Sequence, residues 1–114
     1  MEKTSTLSNL AAIAVLLLLF TSNKSFGQNA PSCSEAVVAS TGTNAIPATV
    51  LDGYWYTYTI PADGKLVVSS STDIYVSLSY NTCANRYYAG AGIGNASYAS
   101  AVEGQEIFIY WDLG

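Results

Sequence analysis

The chain has 114 residues, with four basic and eight acidic side chains, two cysteines and no histidine. That length allows one small domain, and the lack of histidine removes the commonest general base and transition-metal ligand. From residue 28 onward the only cations are Lys65 and Arg86, against Glu35, Asp52, Asp63, Asp73, Glu103, Glu106 and Asp112. Such a balance excludes a nucleic-acid binder and argues against an anionic membrane surface.

The amino-terminal segment reads as an address. Lys3 and Lys24 flank an apolar run from Leu10 to Phe20, shorter than the roughly 20 residues a bilayer-spanning helix needs. It has the length of a signal-peptide core, roughly 7–15 residues. Ser25-Phe26-Gly27 follows with small residues at the two positions a signal peptidase reads. The expectation is a signal peptide over residues 1–27, cleavage before Gln28, and a secreted module over 28–114 with no membrane attachment of its own.

In the exported part, Glu35 to Ser40 is expected to hold a short first strand, with a helical turn as the alternative. Thr41 to Thr49 is expected to be a loop, marked by Gly42, Asn44 and Pro47, and Asp52-Gly53 a turn. Tyr54 to Ile60 is almost wholly aromatic or β-branched and predicts a strand. Pro61-Ala62-Asp63-Gly64 predicts a tight turn, and Lys65 to Ser71 the next strand. Asp73 to Tyr80 alternates, with Ile74, Val76, Leu78 and Tyr80 on one face and Tyr75, Ser77 and Ser79 on the other. Asn81 to Asn85 is a loop carrying Cys83. Arg86 to Tyr88 reads as a short strand, Gly90 to Asn95 as a flexible glycine-rich loop, and Ser97 to Val102 as a strand. Glu103-Gly104 turns into a last strand, Gln105 to Trp111. No helical period stands out, so the fold class is all-β, an antiparallel β-sandwich.

Cys33 and Cys83 are a single pair in an exported chain and read as one disulfide, with two free thiols as the alternative. A loop of about 50 residues closed this way is worth roughly 4 kcal/mol on the chain-entropy account.

The order of motifs resembles the bacterial pre-peptidase C-terminal type of β-sandwich. The likeness rests on Trp55-Tyr56-Thr57-Tyr58-Thr59, Pro61-Ala62-Asp63-Gly64, Asp73-Ile74-Tyr75-Val76 and Glu103-Gly104-Gln105-Glu106-Ile107-Phe108-Ile109-Tyr110-Trp111. It covers roughly Cys33 to Trp111 and implies a jelly-roll-like fold with an accessory or binding role, without catalytic residues. Such modules continue past this point to a closing strand. Asp112-Leu113-Gly114 stands where that turn would begin, so the module is expected to lack its last strand. The expectation is a truncated frame or the start of a longer protein, with an edge open to pairing with another chain.

The chemistry-bearing residues are aromatic. Nine tyrosines and two tryptophans are present, and an exposed tyrosine row suits a sugar: the ring meets the C–H face of a pyranose and the hydroxyl hydrogen-bonds. The expected ligand residues are Tyr54, Tyr56, Tyr58, Tyr75, Tyr87, Tyr88 and Tyr110. Against that stands ordinary cross-strand packing of tyrosine. No acidic stretch has the density of a calcium loop, and Asp52-Gly53 and Asp63-Gly64 are accounted for by turns. Paired carboxylates for glycoside hydrolysis lack a supporting constellation, and Ser69-Ser70-Ser71 lacks a base. Gly90-Ala91-Gly92-Ile93-Gly94 lacks the Lys-Ser/Thr of a phosphate loop. No catalytic residue, metal or cofactor is expected. The function expected is a non-catalytic module binding polysaccharide or cell-surface glycan. The rivals are a structural or adhesive module working through a surface protein, and an accessory domain of a longer secreted hydrolase.

Overall fold

A computed structural model describes residues 14–23, 32–47 and 53–112. The cleavage positions Ser25 to Gln28, the flanking Lys3 and Lys24, Asp52, and residues 113 and 114 lie outside the described residues. Two β-sheets pack face to face. One has four strands in the order β3-β1-β5-β8, the other five in the order β2-β4-β9-β6-β7. The strands are β1 Ala14–Asn23, β2 Val37–Val38, β3 Gly42–Pro47, β4 Gly53–Thr59, β5 Gly64–Ser70, β6 Tyr75–Asn81, β7 Arg86–Ile93, β8 Asn95–Ala101 and β9 Glu106–Asp112.

The sandwich is as expected; its strand directions are not. Both sheets are mixed. β1 runs parallel to both of its neighbours, with Leu18 opposite Gly42 and Leu16 opposite Leu66, and β2 runs parallel to β4. The other pairings are antiparallel. The parallel pairs arise because β1 and β2 come from the amino-terminal part of the chain, not from hairpins, and two strands not joined by a hairpin are free to align.

From Ala14 to Phe20 the apolar run belongs to a central strand, β1. Its side chains alternate as a half-buried strand requires: Leu16, Leu18 and Phe20 point into the core, while Val15, Leu17 and Leu19 are exposed. Leu18 is 0% exposed and Leu17 43%. The inward set packs with Ile46 of β3, Leu66 and Val68 of β5, Val76 and Leu78 of β6, and Ile107, Ile109 and Trp111 of β9.

The short first strand expected within Glu35 to Ser40 is the two-residue β2, and a helical turn, its alternative, precedes it as the 3-10 turn Cys33–Glu35. Two further expectations are corrected. Residues 42–47 form β3, not a loop. Asn44 can lie buried there because its amide is saturated: Oδ1 accepts from the Ser40 N–H at 2.8 Å, and Nδ2 donates to the carbonyls of Ser40 (2.9 Å) and Gly42 (3.2 Å). A buried amide with its partners in place carries little penalty. The glycine-rich stretch is the second half of β7. Gly90 and Gly92 lie where β7 passes β8 backbone to backbone. A Cβ on Gly90 would sit 2.6 Å from the Ser97 carbonyl oxygen, and one on Gly92 would run into that of Asn95. The glycines permit the close crossing between the sheets.

The Cys33–Cys83 disulfide is formed, with Cα atoms 5.6 Å apart. It ties the 3-10 turn to the β6–β7 loop.

Candidate aromatic site on the outer sheet face

The side chains of β4 divide between the core and the outer face of the five-stranded sheet. Tyr54, Tyr56 and Tyr58 point inward and are at most 5% exposed. They do not belong to an exposed platform, which corrects the expectation for these three. Burial of a tyrosine needs a partner for its hydroxyl, and the opposite layer supplies one. The Tyr56 hydroxyl donates to the carbonyl of Ala45 in β3, and the Tyr58 hydroxyl shares a 2.6 Å hydrogen bond with Thr41 Oγ1. Burial raises the pKa of Tyr54 and Tyr56 above the usual tyrosine value; for Tyr56 the neighbouring Tyr54 adds a smaller push in the same direction.

Because these tyrosines face in, Trp55, Thr57 and Thr59 face out. Register places Trp55 opposite Tyr110, and Thr57 opposite Phe108, on β9. The rings of Trp55 and Tyr110 lie 4.7 Å apart, tilted by 40°. The Tyr110 ring also extends over Gly53, where a Cβ would come within 2.7 Å of its Cζ. The Arg86 guanidinium carbon sits 4.8 Å from the Trp55 ring centroid, a cation–π distance. Its Nη1 donates to the Cys83 carbonyl at 2.7 Å, so the disulfide loop helps to hold the cation over the indole.

Beside this cluster lies a pocket of about 370 Å³. It is lined by Thr57 and Phe108 of the sheet, the Cys33–Cys83 bridge, Asn81, Thr82 and Glu106. Asn81 adopts the left-handed region at φ 94° and donates from Nδ2 to the Asn85 carbonyl at 2.6 Å, which turns the loop back over the sheet. The pocket offers the disulfide and the edge of the largely buried Phe108 ring, one carboxylate, and hydroxyl and amide groups. This is an inventory for recognising a polar ligand with an apolar face.

The remaining expected tyrosines fall in three places. Tyr110 belongs to the cluster, half-buried. Tyr75 is exposed at the far end of the same face, opposite Asp112. Tyr87 and Tyr88 lie on the edge strand β7, with Tyr88 72% exposed. The Tyr87 ring packs 5.6 Å from Tyr80, which stacks on Tyr98 at 5.7 Å. Tyrosine-based reasoning missed Trp55, Arg86 and Phe108. The alternation of Trp55 against Tyr54, Tyr56 and Tyr58 carried the signal, once the tyrosines were assigned to the core.

Among the described residues no group of three or more His, Cys, Asp or Glu side chains could hold a metal ion. No helix among them is long and apolar enough to cross a membrane, which says nothing of strands. Comparison of the chain with protein-family models, with curated proteins and with solved structures finds no match.

Proposed function

We propose that this chain is an exported, non-catalytic binding module that takes a polysaccharide or cell-surface glycan on the outer face of its five-stranded sheet. The observation that carries this reading is the Trp55–Tyr110 pair, capped by Arg86, two register positions along β4 and β9 from Thr57 and Phe108, which line the pocket. A pyranose lying along the Tyr110 side would set its C–H face on aromatic carbon. The polar lining and the guanidinium, which carries five N–H donors, would meet its hydroxyls. The disulfide suits an oxidising compartment and supports the export reading, as does the resemblance to pre-peptidase C-terminal modules.

The test is retention on insoluble polysaccharides. Full-length protein is expected to be held by at least one glycan of a cellulose, chitin, xylan and peptidoglycan panel. Trp55→Ala and Arg86→Ala are expected to release it, while Tyr88→Ala is not. Absence of retention on every glycan of the panel would favour the rival, an adhesive module docking a protein on edge strand β7, where Tyr87, Tyr88 and Ile93 are exposed.

A further inference from the structure

β1 occupies a slot that belongs to two neighbours at once. It is bonded to β3 along Leu18–Asn23 and to β5 along Ala14–Phe20. β3 and β5 are not paired with each other; they face the same gap from either side. Neighbouring strands lie about 4.8 Å apart, so the gap is one strand wide. Its floor is core: Leu66 and Val68 of β5, Ile46 of β3, and Tyr56 and Trp111 from the opposite sheet. The Phe20 ring lies 4.7 Å from Tyr56 and 5.1 Å from Trp111.

The slot asks little of its occupant: an extended backbone, apolar side chains at alternate positions, and a large ring at the position next to Trp111. The run that fills it is also the one the sequence marks as the core of a removable signal. Taking β1 away would unpair the facing edges of β3 and β5 and open a strip of core to water. An open edge of this kind is a template for another strand.

We propose that the gap between β3 and β5 is a strand-acceptor site: the form of the protein that begins at Gln28 binds, in trans, an extended segment of another polypeptide with apolar side chains at alternate positions. The export reading supplies only the removal of β1. Amino-terminal sequencing of protein secreted by a host tests that removal separately, so its failure is distinguishable from failure of the slot.

The experiment starts from the full-length chain, folded with a protease site placed within residues 24–31 and cut afterwards. Two labelled peptides based on residues 14–23 are added. In one the outward positions are changed, Val15→Lys, Leu17→Lys and Leu19→Lys. In the other the inward ones are, Leu16→Lys, Leu18→Lys and Phe20→Lys, at the same net charge. The outward-lysine peptide is expected to displace the cut segment and co-elute with the domain; the inward-lysine peptide is expected to bind at least about tenfold more weakly, because burial of three apolar side chains is lost. If cutting unfolds the domain, refolding is expected with the first peptide and not the second. Equal binding of the two peptides, or a cut domain that loses its segment yet stays folded, monomeric and indifferent to both, would overturn the proposal. So would a cut domain that refolds with neither.

Discussion

The Phe20 and Trp111 rings meet with centroids 5.1 Å apart, joining the amino-terminal apolar run to the strand at the other end of the chain. The contact places Phe20 at the centre of the sandwich, and neither ring is exposed. Phe20→Ala in the full-length chain is expected to cost about 3–5 kcal/mol, from lost burial and the cavity left beside Trp111 and Tyr56. Leu19→Thr, one residue away and outward, is expected to cost about 1 kcal/mol or less. Urea unfolding of the two variants checks the phase of β1; equal losses would contradict it.

Removing the Cys33–Cys83 bridge acts on stability and on the pocket together. The bridge closes a sequence separation of 50 residues, and its loss through paired Cys33→Ser and Cys83→Ser is expected to cost about 2–4 kcal/mol. That corresponds to a fall of roughly 10–20 °C in the thermal midpoint of a small domain. The loop carrying the Cys83 carbonyl would also loosen its hold on Arg86, so glycan retention is expected to fall at temperatures where the variant is still folded.

Tyr56 gives the chain a defined response to alkali. Burial, and to a smaller degree Tyr54, raises its pKa above the usual value of 10.0. Above that value the unfolded chain gives up this proton while the folded chain keeps it. The unfolded state then binds fewer protons, and stability falls with rising pH by up to about 1.4 kcal/mol per pH unit for this group. Below pH 10 the effect vanishes. Tyr56→Phe removes that part of the slope. At neutral pH it is expected to cost about 1 kcal/mol, because the part-buried hydrogen bond from the Tyr56 hydroxyl to the Ala45 carbonyl is lost. Unfolding free energies at pH 8, 10 and 11 for both proteins provide the check.

Gly53 sets the position of Tyr110. The side chain added by Gly53→Ala would collide with the Tyr110 ring, which is the free end of a side chain and can swing away. Stability is therefore expected to change by about 1 kcal/mol or less, while glycan retention drops because the Trp55–Tyr110 pair is broken. A variant that keeps full retention would remove Tyr110 from the site.

Strands β4, β5, β6, β8 and β9 were legible within one or two residues, because each carries aromatic, β-branched or alternating side chains between turn signals. β3 was not. Its Asn44 reads as a loop residue until its hydrogen bonds to Ser40 and Gly42 are seen. The second half of β7 was hidden for another reason: Gly90 and Gly92 serve a crossing with β8 that no local pattern encodes. β1 could be read only as an export signal, since a short apolar run carries no statement of what it pairs with. For the site, the sequence pointed to aromatics but not to the face they occupy. Both sets on β4 contain large rings, and the choice is made by hydrogen-bond partners in and just before β3, the Ala45 carbonyl and the Thr41 hydroxyl, far away in sequence.

The measurement that tests the account most directly is tryptophan emission during titration with soluble polysaccharide. Trp111 is fully buried and Trp55 lies half-buried on the outer face, so a ligand on the proposed site must act through Trp55. The account predicts quenching or a shift in the native protein that disappears in Trp55→Phe. An emission change that survives in Trp55→Phe, or no change across the polysaccharide panel, would contradict it.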